Sequence, residues 1–242
     1  MSNLLIDIGN TDVKVGTGSK DVKDVKLIKR FSYKKNNFEI DLENNLIKII
    51  SLPNIDKIGI SILNENKNTF LKRIFTQNPV FINRRSKLPV TIDYSEGIGN
   101  DRICGAAGAS GSYSNKNILI IDFGTATTYT LVSNRVLKGG MISPGIKTCL
   151  QSLIEKASLP DVKLTFPKEL LNRNTIDNIR AGILYSGLYT AERVIVETKK
   201  KYRGLFVVAT GGFAELIYKR TNLINKYDEN LVLKGINIII SQ

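Results

Sequence analysis

The chain has 242 residues, 42% of them hydrophobic, enough for a sizeable core in one large domain or two small ones. Lys and Arg number 35 against 22 Asp and Glu, giving a net charge of +13, and histidine is absent. The lack of histidine excludes a Ser-His-Asp triad, a histidine base and any His-ligated metal, so acid–base chemistry falls to Asp, Glu, Lys or Tyr.

In chain order, Leu4 to Ile8 reads as a strand and Gly9-Asn10-Thr11-Asp12 as a tight turn. Val13 and Val15 alternate with Lys14 in a second strand, and a strand pattern follows from Val25 to Tyr33. Residues 42–50 have helical spacing, with Leu42, Leu46, Ile47 and Ile50 on one face. Lys57 to Ile62 is a buried strand, Asn68 to Thr76 a helix and Pro79 to Ile82 a short strand. A polar passage from Asn83 to Asn100 leads into a helix from Arg102 to Tyr113, where Ala106, Ala107 and Ala109 permit close packing.

The second half restarts the pattern. Ile118 to Ile121 is a strand, Gly124 to Thr127 a turn, and Thr128 to Val132 a strand. A third strand follows at Arg135 to Lys138, and a helix begins near Gly145 and ends before Pro160. A long amphipathic helix spans about Ile176 to Tyr202, with Ile176, Ile179, Ile183, Leu184, Leu188 and Ala191 at helical spacing and Asn174 or Thr175 as its cap. Leu205 to Ala209 is a strand ending at Thr210-Gly211-Gly212, and Phe213 to Lys219 a short helix.

Cys104 and Cys149 have no metal-type spacing and read as structural thiols. The basic charge attracts anions, yet the lysines are scattered apart from Lys34-Lys35 and Lys199-Lys200-Lys201. No nucleic-acid motif accompanies them, so nucleic-acid binding is not expected. Apolar runs such as Ile118 to Ile121 are too short to span a bilayer, and the first residues show no signal pattern. A cytoplasmic protein without membrane partners is the expectation.

Two apolar strands each run into an Asp-x-Gly turn: Ile6-Asp7-Ile8-Gly9 and Ile121-Asp122-Phe123-Gly124. Glycine lets backbone approach an anion, and threonine adds a hydroxyl and an amide donor, so such turns hold phosphate oxygens. A carboxylate beside phosphate makes sense once a hard cation bridges them. One such turn is also an ordinary hairpin; two of them together suggest a nucleotide-triphosphate site. The Asp residues lie 122 − 7 = 115 positions apart, about half the chain, which suggests two related α/β lobes, residues 1–114 and 115–242. Other nucleotide signatures fail. Lys147 comes one place too late after Gly140 to Gly145 for a P-loop, and Gly16-Thr17-Gly18 lacks a third glycine.

These turns resemble the phosphate motifs of the acetate and sugar kinase/Hsp70/actin superfamily, and within it the match is closest to type III pantothenate kinase. Asp7-Ile8-Gly9-Asn10-Thr11 is similar to the family's first phosphate motif, Gly99-Asn100-Asp101-Arg102 to its substrate motif, and Asp122-Phe123-Gly124-Thr125-Ala126-Thr127 to its second phosphate motif. Gly139-Gly140-Met141-Ile142-Ser143-Pro144-Gly145 and Thr210-Gly211-Gly212 follow in order.

The resemblance implies two ribonuclease H-like lobes, a duplicated α/β fold, a homodimer, and phosphorylation of pantothenate by ATP, the first step toward coenzyme A. It implies magnesium with ATP and a monovalent cation, potassium or ammonium. Asp101 matches the proton acceptor, and Gly99, Asn100, Arg102 and Thr175 match substrate-contacting positions. Asp7, Ile8, Gly9, Asn10, Thr11, Asp12, Val13 and Lys14 match the first ATP loop, with Asp7 positioning magnesium. Thr125 matches an ATP contact, Gly211 and Gly212 the adenosine region, and Asp122 the monovalent-cation ligand.

The chemistry agrees with these roles: a carboxylate can accept the proton of a primary alcohol as phosphoryl transfers, and the fork of Arg102 suits a carboxylate. The alternative for Asp101 and Thr175 is helix capping, and for Arg102 a surface salt bridge. The family's substrate tyrosine is commonly followed by proline. Here Tyr94-Ser95-Glu96-Gly97-Ile98 leads to Gly99 without one, so Tyr94 is the candidate in an altered loop. Competing readings are a non-catalytic regulator or binding module, and a kinase or phosphohydrolase of the same superfold with another acceptor.

Overall fold

A computed structural model describes residues 2–19, 24–50 and 54–242, without the side chains of residues 48 and 50. The chain divides into two units. One holds residues up to Ser114 together with 135–137 and 230–242; the other holds 115–134 and 138–229.

The first unit opens with β1 (Ser2–Ile8), β2 (Asp12–Gly18) and β3 (Val25–Ser32). Then come α1 (Phe38–Ile50), β4 (Ile55–Ile62), α2 (Asn68–Ile74), β5 (Val80–Phe81), β6 (Thr91–Ile92) and α3 (Asn100–Ser112). Its sheet runs β3-β2-β1-β4-β5, with β2 antiparallel to β1 and β3, and β4 parallel to β1 and β5. Leu4, Ile6, Ile8, Val13, Val15 and Ile60 pack with the α1 face Phe38, Leu42, Leu46 and Ile49. That face starts one turn earlier than expected. Steps of four and three from Phe38 lead to Ile49, so Ile47 points outward at 63% exposure. The expected place of the Ile50 side chain lies outside the described residues.

The second unit contains β7 (Asn117–Phe123), β8 (Ala126–Ser133), β9 (Val136–Pro144) from Lys138 onward, α4 (Ile146–Ala157), α5 (Thr175–Lys201), β10 (Phe206–Thr210), α6 (Ala214–Tyr218) and β11 (Lys226–Tyr227). Its strands run β11-β10-β7-β8-β9. β7 and β8 are antiparallel, and β10 is parallel to β7 and β11. Its core joins Leu119, Ile121, Phe123 and Tyr129 to Ile179, Leu184, Leu188, Val207 and Ala209. Ile176, expected on the packed face of α5, is 46% exposed because it stands in the helix's first turn.

The two strand orders are the same list read with β1 and β7, β2 and β8, and β4 and β10 as equivalents. β1 and β7 also share one burial sequence: four buried positions, then a half-buried Asp, then a buried residue. The strand duplication anticipated from Asp7 and Asp122 is therefore present in the topology.

The chain ends in α7 (Leu231–Ile240), which belongs to the first unit although the sequence boundary assigned it to the second. It packs on α3, and small residues make this possible. A Cβ on Gly235 would strike the Cys104 carbonyl, and one on Gly108 would strike the Leu231 carbonyl. Gly16 and Gly59 add close approaches, to Leu233 and Ile236.

Candidate active site

Asp7 is the penultimate residue of β1, half-buried, and pairs in register with Lys14 on β2 and Ser61 on β4. Lys14 is buried, which places a cation in the register position beside Asp7. The following turn is closed by Gly9 N–H donating to the Asp12 carbonyl at 3.0 Å. The end of β3 holds it further: the Tyr33 hydroxyl donates to the Gly9 carbonyl at 2.7 Å, and Tyr33 N–H to the Thr11 carbonyl at 3.2 Å. Asp12 turns toward β3, accepting from Arg30 at 2.8 Å and Ser32 at 2.6 Å. Asn10 and Thr11 stay exposed at the tip.

Gly99 precedes α3 as its N-cap residue, so Asp101 does not cap this helix. Asn100 ties the helix start to β4 by donating to the Ile62 carbonyl at 2.8 Å. Asp101 stands in the first turn and accepts from the Arg102 backbone N–H at 2.8 Å. A side chain on Gly99 would collide with the Asp101 carboxylate, so glycine leaves that carboxylate its space. Crowding protein atoms desolvate Asp101 and hold its carboxyl above the ordinary 3.8, against the lowering effects of the Arg102 amide and guanidinium.

Arg102 is buried, and its guanidinium lies over the Tyr94 ring at 5.1 Å with Nη1 donating to the Tyr94 hydroxyl at 3.4 Å. The Tyr94 loop is braced by Arg84, which donates to the Tyr94 carbonyl at 2.8 Å and the Ser95 carbonyl at 3.1 Å. The loop, though without a proline after Tyr94, brings Tyr94 onto Arg102.

Cys104, one turn into α3, is buried among these acids' surroundings. Its thiol is pushed well up by burial first, then by the Asp7 carboxylate, with Asp101 adding to the shift and a hydrogen bond to Ser61 opposing it. One thiol thus feels both carboxylates. A cavity of about 230 Å³ opens between Gly9, Asn10, Tyr33, Phe38, Leu63 and Lys67. The sequence reading missed Tyr33, Leu63 and Lys67, since they come from two loops, after β3 and after β4, that meet only after folding.

In the second unit Asp122 repeats Asp7: half-buried, penultimate in β7, in register with Thr128 on β8 and Thr210 on β10. The turn that follows is braced by α4. Gly145 N–H donates to the Thr125 carbonyl at 3.1 Å, and Thr148 Oγ1 donates to the same oxygen at 2.6 Å. A Cβ on Gly145 would strike the Gly124 and Thr125 carbonyls, which explains the glycine at the end of the Gly139 to Gly145 motif. The Thr125 side chain is exposed. Gly211 has φ +95°, and a Cβ there would strike the Asp122 carboxylate and come within 2.7 Å of the Phe123 backbone. Gly212 is exposed beside it.

Thr175 begins α5, but the cap is Asn174, whose side chain accepts from Asp177 N–H at 2.9 Å. The exposed Thr175 hydroxyl is thus not committed to capping. Around Asp122 the donors are oxygens, a carboxylate and hydroxyls, which suits a hard cation. No group of three or more His, Cys, Asp or Glu side chains able to hold a metal occurs among the described residues.

Residues 3–197 match the family model described as type III pantothenate kinase. The chain belongs to the type III pantothenate kinase family. A relative of that name from Petrotoga mobilis is 32% identical, with 96% of this chain and 95% of that one covered. Another from Fusobacterium nucleatum is 34% identical over 96% and 95%, and one from Listeria monocytogenes 31% identical over 98% and 95%.

Among solved structures, one from Campylobacter jejuni described as a Baf family transcriptional activator has TM-score 0.63 at 24% identity, covering 98% of this chain and 96% of that one. A ROK family glucokinase from Streptomyces griseus has TM-score 0.53 at 10% identity, covering 98% of both. These two carry the fold alone: a duplicated pair of ribonuclease H-like lobes of the acetate and sugar kinase/Hsp70/actin superfold. No helix among the described residues is long and apolar enough to cross a membrane.

Proposed function

We propose that this chain phosphorylates pantothenate with ATP to give 4'-phosphopantothenate, and that Asp101 is the general base. Membership of the type III pantothenate kinase family supports the reaction. The observation that carries the base is the crowded carboxylate of Asp101 beside buried Arg102, its pKa raised above the ordinary value by desolvation.

The acceptor is a primary hydroxyl, a poor nucleophile until its proton leaves. Asp101 takes that proton as the oxygen–phosphorus bond forms and the bond to ADP breaks. Arg102, held by Tyr94, pairs with the pantothenate carboxylate, and Thr175 adds a hydroxyl contact. The Gly9 to Lys14 segment receives ATP phosphates, with Asp7 placing magnesium that accompanies ATP. Thr125 contacts ATP, and Gly211 and Gly212 allow close approach of the adenosine. Asp122 holds a potassium or ammonium ion, which supplies positive charge near the phosphates.

A homodimer completes the proposal. Ile176, Tyr189 and Val196 leave apolar surface exposed on α5, the candidate interface. Light scattering that finds only monomer would remove that part.

The test is ADP release with ATP, magnesium and potassium, with and without pantothenate. Pantothenate-dependent release is expected. No release under any monovalent cation would turn the reading to a binding module of this fold.

A further inference from the structure

In each unit the strand-end acid has a hydroxyl in the paired position of the neighbouring parallel strand: Ser61 beside Asp7, and Thr210 beside Asp122. Paired residues on adjacent strands project from the same face of the sheet, with backbones only about 4.8 Å apart. The two hydroxyls have different fates. Ser61 is hydrogen-bonded to Cys104. Thr210 is 1% exposed, and its Oγ1 has no hydrogen-bond partner among the described residues.

A buried hydroxyl without a partner is costly, and such groups in folded proteins call for a specific explanation. The surrounding backbone sharpens the question. Gly211, next in the chain, turns with φ +95° and packs so closely that any side chain there would strike the Asp122 carboxylate. The Thr210–Gly211 segment is therefore drawn against Asp122. The result is a half-buried carboxylate beside a fully buried neutral oxygen.

We infer that the Thr210 hydroxyl is a second protein oxygen of the cation site at Asp122. A carboxylate with neutral oxygens is a donor set for a hard cation, and a single negative charge suits a monovalent one. The hydroxyl oxygen offers a lone pair to the ion, and its orphaned state is relieved when the ion binds. This inference rests on the reading of Asp122 as a cation ligand.

The experiment measures thermal midpoints with saturating MgADP as potassium replaces tetramethylammonium at constant ionic strength. An ion that binds the folded chain raises the midpoint as its concentration rises. Thr210→Val keeps shape and removes the hydroxyl; Thr210→Ser keeps the hydroxyl; Asp122→Asn removes the charge. Wild type and Thr210→Ser are expected to respond to potassium alike. Thr210→Val is expected to need roughly tenfold more potassium for the same shift, or more. Its midpoint in tetramethylammonium is expected to be unchanged or higher, because an unsatisfied hydroxyl is gone.

Thr210→Cys, a soft thiol of similar size, shows the same loss and serves if the valine variant does not fold. A wild-type potassium response in Thr210→Val, with the response lost in Asp122→Asn, would overturn the role of Thr210 and leave the Asp122 reading intact. No response in wild type would overturn the Asp122 reading and this inference with it.

Discussion

Asp101→Asn separates chemistry from folding. The amide keeps the shape of the side chain and an oxygen for the Arg102 N–H, now at 2.8 Å, but cannot accept the substrate proton. A positioned general base contributes about 10²–10⁴-fold, or about 2.7–5.4 kcal/mol of barrier. Turnover should fall by that factor.

Stability should move the other way. The carboxyl is raised above 3.8 in the fold, chiefly by desolvation. A group so raised stabilises the fold fully below its unfolded pKa, and that contribution is lost as pH rises through the folded pKa. Above it, the charged form is a net cost. The favourable placement of an acid in the first turn of α3, about 0.3–1 kcal/mol, is already opposed successfully by desolvation, since the net shift is upward. At pH 7 the Asn variant should therefore be at least as stable as wild type, and the two should converge below about pH 4. The wild-type kcat/KM should rise with pH along an acid limb lying above the ordinary carboxylate value. Urea unfolding at both pH values and a pH–rate profile check this. A rate loss under tenfold, or an Asn variant less stable at neutral pH, would refute the reasoning.

Three further outcomes are expected. Gly211→Ala places a Cβ against Asp122 and the Phe123 backbone at positive φ, and should cost roughly 2–5 kcal/mol in urea unfolding; a loss under about 0.5 kcal/mol would show that the loop shifts freely. Gly235→Ala drives a methyl into the Cys104 carbonyl and should cost about 1–3 kcal/mol or more, since backbone on both helices must part; an unchanged unfolding midpoint would mean α3 and α7 are packed less closely. Tyr33→Phe deletes the hydroxyl that holds the Gly9 carbonyl, a hydrogen bond worth about 0.5–1.5 kcal/mol. Its KM for ATP should rise several-fold with kcat less affected, and equal kinetic constants would deny Tyr33 a part in holding the first loop.

Much of the local order was legible in the chain. Period-two alternation at Val13 and Val15, apolar runs ending in Asp-x-Gly, and the capped start of α5 follow from backbone sterics and short-range hydrogen bonding. The five motifs, read in order, named the family. The strand duplication was visible as two acids half a chain apart.

What depended on tertiary structure is what joins distant residues. The run Leu231 to Ile240 is mostly apolar and rich in isoleucine, with Lys234 and Asn237 its only polar side chains, so a short window of it does not by itself distinguish a buried strand from a helix. It is α7 because glycines at 108 and 235 let it lie against α3, a fact that no local pattern contains. Burial of Ile49 rather than Ile47 followed from where α1 begins, at Phe38, beneath the Tyr33 turn. The difference between Ser61, which is engaged by Cys104, and Thr210, which is not, arises only when strands pair. Sequence determined which side chains could do chemistry; strand register and helix packing decided which of them meet, because those contacts span up to most of the chain and depend on the shapes of both partners.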